Sequence, residues 1–148
     1  MARFFVAGLI NIETTLAIDN FPLEYSPDNY PFFGVQSTVS GVGLNIAKAL
    51  TTLGNQVDLA SLIGVDENGW LARKALTEAG IGDDLVLSNL AETAQSVILY
   101  EMEGRRQIHT DLKDIQGQAY PIITQTRSGS YLNPLSPWSE GLQPERLC

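Results

Sequence analysis

Two glycines, Gly41 and Gly43, stand directly before a helical stretch, and this arrangement constrains the fold more than any other feature of the chain. Apolar side chains recur there at helical spacing, and Gly54 is placed to end the helix; the apolar positions are Ile46, Leu50 and Leu53. Asn45 lies in the first turn. Glycine lets a backbone approach a ligand closely, and a helix N-terminus favours polar or anionic groups. The segment therefore predicts a site for a small polar molecule.

Strands and helices alternate on either side of this turn. A continuous apolar run over residues 4–10 predicts a first strand that is buried on both faces, and residues 57–63 predict another strand. A second helix is expected over residues 67–79, with Asp66 as its N-cap and Gly80 just past its end. This order predicts an α/β fold with parallel strand pairing.

Other segments predict smaller, more exposed strands. Residues 15–18 predict a weak strand. In residues 33–40, apolar and more polar side chains alternate with period two, as in an exposed or lid-like sheet. Residues 95–101 and 106–110 flank a turn at Gly104, which predicts a β-hairpin.

Residues 117–148 differ in character from the rest of the chain. Prolines gather there, and neither helical nor strand periodicity persists beyond residues 122–123. We expect a domain over residues 1–116 and a poorly structured tail over residues 117–148. A frameshift or splice change near Gln116 would explain the abrupt change in composition.

Composition and charge exclude several classes of partner. The 148 residues carry 9 basic and 17 acidic side chains, for a net charge of −8, so neither nucleic acid nor an anionic membrane surface is an expected partner. The single cysteine, Cys148, cannot form an internal disulfide, which favours a reducing, cytoplasmic setting. The apolar N-terminus is interrupted by Asn11 and Glu13, so it predicts a strand rather than a signal peptide.

The side chains of Asn11 and Glu13 are the first candidates for ligand binding. They are two residues apart, so in an extended strand they share one face. A carboxylate accepts two hydrogen bonds and an amide both donates and accepts, which suits a vicinal diol. A polar strand end facing water remains the alternative interpretation.

The glycine turn satisfies neither common phosphate-binding motif. Ile46 stands where a dinucleotide fingerprint needs a third glycine, and Gly43 is followed by Leu44 and Asn45 rather than by Lys and Ser or Thr. His109 is the single histidine, and with Cys148 it cannot build a zinc site. We therefore expect no metal ligand and no catalytic residue in this sequence.

Taken together, five motifs resemble the N-terminal half of the ribokinase-like (PfkB) family of carbohydrate and nucleoside kinases. They occur in the family's order over about residues 3–116, as Gly8-x-x-Asn11, Ser40-Gly-Val-Gly-Leu-Asn45, Ile63-Gly-x-Asp66-x-x-Gly69, Leu76-x-x-x-Gly80-Ile81, and Thr93-Ala-x-Ser96 with Gly104-x-Arg106. Glu13 departs from the pattern, because the family usually has Asp there.

The resemblance implies a fold, a site and cofactors. The fold would be an incomplete three-layer α/β sandwich with a small β-sheet lid that could also form homodimer contacts. Five residues would hold the hydroxyls of a sugar or nucleoside, namely Asn11, Glu13, Gly41, Gly43 and Asn45. ATP and Mg²⁺ would serve the complete family domain, and neither is expected to bind well to this chain alone.

The resemblance also implies a function, the substrate-binding half of an ATP-dependent sugar or nucleoside kinase. The family's catalytic Gly-Ala-Gly-Asp motif does not occur in this sequence, so the chain is expected to be inactive alone. Two alternatives stay open. One is a non-catalytic sugar- or nucleoside-binding or regulatory protein, and the other is a nucleotide-binding Rossmann module.

Overall fold

A computed structural model describes residues 1–118 together with two short strands, Ile122–Thr126 and Gly129–Asn133. The chain divides into two units, Met1–Lys113 and Asp114–Cys148.

The first unit holds seven strands and two helices. In chain order they are β1 (Arg3–Ala7), β2 (Asn11–Ala17), β3 (Val35–Ser40), α1 (Val42–Thr52), β4 (Gln56–Gly64), α2 (Glu67–Glu78), β5 (Val86–Leu90), β6 (Gln95–Tyr100) and β7 (Arg106–Asp111). The α/β class and the predicted helices and hairpin are confirmed.

A parallel sheet with the order β1–β4–β5 organises the core of this unit. Both helices contribute to a single apolar cluster with the inward side chains of β4. Its largest fully buried members are Ile10 from the segment before β2, Leu44 from α1, Leu59 and Ile63 from β4, and Leu76 from α2. Burial of this cluster is the main favourable contribution to folding, at about 25 cal/mol per Å² of apolar surface.

β1 differs from the prediction of a strand buried on both faces. It ends at Ala7 rather than at residue 10, and of its five residues only Val6 is buried, while Phe5 is 56% exposed. The reason is its position at the edge of the described sheet, where a strand has one neighbouring strand instead of two.

The buried face of α1 also differs from the prediction. The side chains of Ile46 and Leu53 are 48% and 77% exposed, and Leu50 is only partly buried. Gly43, Leu44 and Ala47 face the core instead. Gly43 lies directly against the backbone of Gly8, and this contact sets the rotation of the helix about its axis.

The second sheet is the lid that the sequence predicts. It has four strands in the order β3–β2–β6–β7, with β2 and β6 parallel at its centre and antiparallel strands on either side. Gly104 forms the β6–β7 turn with a φ of +95°, a conformation that favours glycine. The homodimer expected through these strands stays a prediction.

The second unit contains a short 3₁₀ turn (Ile115–Gly117) and an antiparallel pair, β8 (Ile122–Thr126) and β9 (Gly129–Asn133). Most of the tail predicted over residues 117–148 lies outside the described residues, and its expected lack of structure stays a prediction.

Asp66 joins the start of α2 to the chain before β6. Its side chain caps the helix by accepting from the Gly69 N–H at 2.9 Å, and it also accepts from the Thr93 N–H at 3.1 Å and from the Thr93 hydroxyl at 2.6 Å. The Gly64 N–H in turn donates to Thr93 Oγ1 at 2.9 Å. Burial acts to raise the pKa of the Asp66 carboxyl, but the donors from Thr93 and Gly69 lower it below its ordinary value.

Replacement of Asp66 by alanine is expected to lower the free energy of unfolding at pH 7 by about 2 kcal/mol, since a cap and two further hydrogen bonds to a carboxylate disappear. Because the folded-state pKa is lowered, this stabilisation is fully present above the ordinary carboxyl pKa of about 3.8 and is lost as the pH falls through the lower folded-state pKa. Urea titrations from pH 7 to pH 2.5 measure the difference. Asp84→Ala, at an exposed loop position, is the matched control. If the difference in free energy of unfolding between Asp66→Ala and the wild type does not become smaller in acid, the assignment is wrong.

Candidate functional site

The Gly41–Gly43 turn lies against the end of β1. The Gly43 N–H donates to the Leu9 carbonyl at 3.1 Å, and a Cβ added to Gly43 would come within 2.6 Å of the Gly8 carbonyl carbon. Gly41 has a φ of +115°, a conformation that favours glycine. The close approach of α1 to the end of β1 therefore explains why both positions are glycine. Direct contact between their backbone and a ligand stays a prediction.

The structure places Asn11 and Glu13 in the lid sheet. They were predicted to follow the first strand at its carboxyl end, but they begin β2, where Asn11 pairs in register with Ser40 and Glu13 with Thr38. The placement in β2 is a correction. Their shared face follows from the extended strand, as predicted.

The pairing with β3 joins Asn11 to the glycine turn. Ser40, the register partner of Asn11, accepts a hydrogen bond from Asn45 Nδ2 at 3.4 Å. Asn11 and Ser40 are buried, Glu13 is half-buried and Asn45 is exposed. The two predicted groups, which are some thirty positions apart in the sequence, thus meet where the lid sheet begins and α1 starts.

A second polar chain runs from Asn11 in the other direction across the sheet. Asn11 Nδ2 donates to Ser96 Oγ at 2.6 Å, and Ser96 Oγ lies 3.0 Å from Thr110 Oγ1. The register places Thr38, Glu13, Ser96 and Thr110 side by side on the four lid strands. One face of the lid therefore carries a continuous row of hydroxyl and carboxylate groups.

Sequence reasoning missed the members of this row other than Glu13. Ser96 belongs to the Thr93-Ala-x-Ser96 motif. It lies two residues before Ile98, and in an extended strand that spacing places both side chains on one face. Thr110 and Thr38 had no signal of their own, because their proximity depends on how four strands are ordered and registered.

At each helix N-terminus in the described residues, one of the N–H groups that could bind a phosphate already has an acceptor. At α1 the Gly43 N–H already donates to Leu9, and at α2 the Gly69 N–H already donates to the carboxylate of Asp66. A nest of free N–H groups is what a phosphate site of this kind requires. Within the described part of the chain, no three His, Cys, Asp or Glu side chains come together in a way that could hold a metal ion.

The pfkB family of carbohydrate kinases matches residues 1–120. The chain belongs to that family. This confirms the resemblance.

Individual members of the pfkB family are similar to the same region. The ATP-dependent ribose-1-phosphate kinase of Halopiger xanaduensis is 31% identical over 100 residues, which cover 68% of this chain and 32% of that protein. The structure of a putative ribokinase from Agrobacterium tumefaciens has a TM-score of 0.70 at 20% identity, covering 82% of this chain and 39% of that one. A ribokinase from Arabidopsis thaliana, complexed with ribose and ATP, has a TM-score of 0.60 at 24% identity over 72% of this chain and 35% of that one.

These likenesses confirm the ribokinase-like fold. In each case the matched region spans between about a third and two fifths of the relative's length. None of the helices in the described part of the chain is long and apolar enough to cross a membrane.

Proposed function

We propose that residues 1–116 form the substrate-binding part of an ATP-dependent sugar or nucleoside kinase. Asn11, Glu13 and Asn45 would bind the hydroxyls of the substrate, and Gly41 and Gly43 would shape the turn that brings Asn45 to them. The observation that supports this most is the meeting of Asn11 with the Ser40–Asn45 segment at the start of the lid sheet.

The chemistry of the site also favours a polyol. Glu13 supplies a carboxylate that accepts hydrogen bonds, while Asn11, Ser40 and Asn45 add amide and hydroxyl groups that both donate and accept. A vicinal diol presents donors and acceptors at a similar spacing. Closure of a lid over such a substrate excludes water, which favours transfer to the substrate over hydrolysis of ATP.

The groups that bind ATP and Mg²⁺ would come from the rest of the complete kinase domain. We propose that neither binds well to this chain alone, because the family's Gly-Ala-Gly-Asp motif and most of its ATP site are expected in a region that this sequence does not contain. The sequence contains no Gly-Ala-Gly-Asp motif, so we propose that this chain binds the substrate without transferring a phosphoryl group to it.

The proposal is tested by titrating the full chain with ribose, fructose 6-phosphate and adenosine. At least one of them should raise the midpoint of thermal unfolding, because a ligand that binds the native state stabilises it. Asn11→Ala should weaken that binding about ten-fold or more in calorimetry, the effect of losing one well-aligned hydrogen bond to a buried amide. Asn89→Ala, at an exposed position in β5, is the matched control and should bind as the wild type does. Failure of all three compounds to bind would overturn the proposal.

A non-catalytic sugar- or nucleoside-binding or regulatory protein is the alternative function, and it predicts the same binding. The genomic sequence beyond the codon for Gln116 separates the two. A Gly-Ala-Gly-Asp motif in any downstream frame supports the kinase, and its absence from all frames supports the binding protein.

A further inference from the structure

We infer that Ser96 and Thr110 orient the side-chain amide of Asn11, so that its oxygen is the atom left without a partner for the ligand and selects a hydroxyl that donates a hydrogen bond. Ser96 and Thr110 are positioning residues in this inference, because they act through Asn11. The inference rests on the proposed function, since it assigns a polarity to one contact of the same site.

The direction of the hydrogen bonds follows from the donor group of the Asn11 amide. Asn11 Nδ2 donates to Ser96 Oγ at 2.6 Å, so the Ser96 hydroxyl acts there as an acceptor. Its own hydrogen is then free to point at Thr110 Oγ1, 3.0 Å away. Ser96 is buried, with a relative exposure of 4%, and Asn11 is equally buried, so water cannot easily take the place of this partner, whereas Thr110 is exposed.

The other end of the Asn11 amide has no such partner. Asn11 is 4% exposed, and its Oδ1 is buried without a hydrogen bond among the described residues. A buried acceptor left without a donor costs about 1–3 kcal/mol. A ligand hydroxyl that donates to Oδ1 would recover that free energy. Because Oδ1 is covered in this conformation, the ligand must move the lid strands slightly to reach it.

The opposite rotamer of the amide makes a different prediction. There the direction of both hydrogen bonds would reverse, with Thr110 donating to Ser96 and Ser96 donating to Asn11. The ligand would then meet the N–H group of the amide. That arrangement would accept a group without a hydrogen, whereas the observed one rejects it. Fluorine distinguishes the two, since a C–F group is similar in size to a hydroxyl but cannot donate.

The experiment uses the full chain and the compound among ribose, fructose 6-phosphate and adenosine that binds most tightly. Calorimetry compares it with its monofluoro analogues, in which one hydroxyl at a time is replaced. In the wild type, one analogue should bind about ten-fold or more weakly than the parent, because the Asn11 oxygen loses its donor. In Ser96→Ala the amide is free to turn, and that ratio should fall to about three-fold or less.

Matched variants separate orientation from folding. Thr110→Val, at an exposed position on the edge strand β7, should shift the ratio in the same direction as Ser96→Ala and stay folded. Ser96→Thr keeps the hydroxyl and should keep the wild-type ratio. Ser37→Ala removes a hydroxyl from the other face of the lid and should change nothing.

Two results would overturn the inference while leaving the proposed function standing. One is a wild-type protein that binds every monofluoro analogue as well as the parent. The other is an unchanged ratio in both Ser96→Ala and Thr110→Val. If the wild type binds none of the three parent compounds, the proposed function fails and this inference fails with it.

Discussion

Gly43→Ala is expected to remove the cooperative unfolding transition of residues 1–113, or to lower its free energy by about 3 kcal/mol or more. A Cβ at this position would lie 2.6 Å from the carbonyl carbon of Gly8 and 2.8 Å from its Cα. These are backbone atoms of the residue that directly follows β1, so no flexible side chain can move aside. Helix α1 would have to withdraw from the sheet, breaking the 3.1 Å hydrogen bond from Gly43 to Leu9 and uncovering Leu44.

Urea denaturation followed by circular dichroism measures this effect. Gly117→Ala is the matched control, because a Cβ there meets nothing within 4 Å and the residue does not need a positive φ. Gly8→Ala addresses the same contact from the other side and should be similarly destabilising, with its Cβ 2.8 Å from Gly43 Cα. A Gly43→Ala protein within 1 kcal/mol of the wild type would show that α1 does not depend on this approach.

Glu101→Ala is expected to lower the free energy of unfolding by about 3 kcal/mol, since a buried carboxylate takes several hydrogen bonds with it. The Glu101 side chain is 1% exposed and forms an ion pair with Arg105 across the β6–β7 turn. Its Oε2 also accepts from the Phe21 N–H at 2.9 Å, which ties the segment after β2 to the lid hairpin. In the variant this N–H loses its acceptor, while Arg105, which is 58% exposed, can turn to water.

Glu101→Gln separates charge from hydrogen bonding. The amide oxygen can still accept from Phe21, so about half of the loss should return. Glu103→Ala, two residues along in the same turn and exposed, is the matched control and should stay within about 0.5 kcal/mol of the wild type. If Glu101→Ala were as stable as Glu103→Ala, the buried ion pair would contribute nothing to the lid.

Much of the fold could be predicted from local sequence. The helices near residues 43–53 and 67–79 and the hairpin around Gly104 follow from periodicity and from turn and capping residues, and the structure has each of them. Asp66 was predicted as an N-cap from its place before a helix, and it caps α2. These features depend on neighbours within a few positions, which a single sequence shows directly.

Predictions that needed a partner from elsewhere in the chain were less accurate. The buried stripe of α1 was placed on Ile46 and Leu53, but the contact of Gly43 with Gly8 turns the helix so that Leu44 and Ala47 face the core. Burial of β1 was overestimated because its place at the sheet edge is a property of strand order. Asn11 and Glu13 were identified as a pair, yet their strand and its neighbours came from the register of β2 with β3.

The sequence by itself determined which residue types this protein offers a ligand and which family it belongs to: an amide and a carboxylate two positions apart, and a glycine turn that opens a helix with a second amide. Only the tertiary structure decided how they meet, because the order β3–β2–β6–β7 brings Ser40 and Ser96 to Asn11, and Thr110 to Ser96, from distant positions in the chain. The tertiary structure also explains why position 43 is a glycine, since any Cβ there would overlap the backbone of Gly8. Strand order and register arise from packing of the whole sheet, so no window of the sequence encodes them alone.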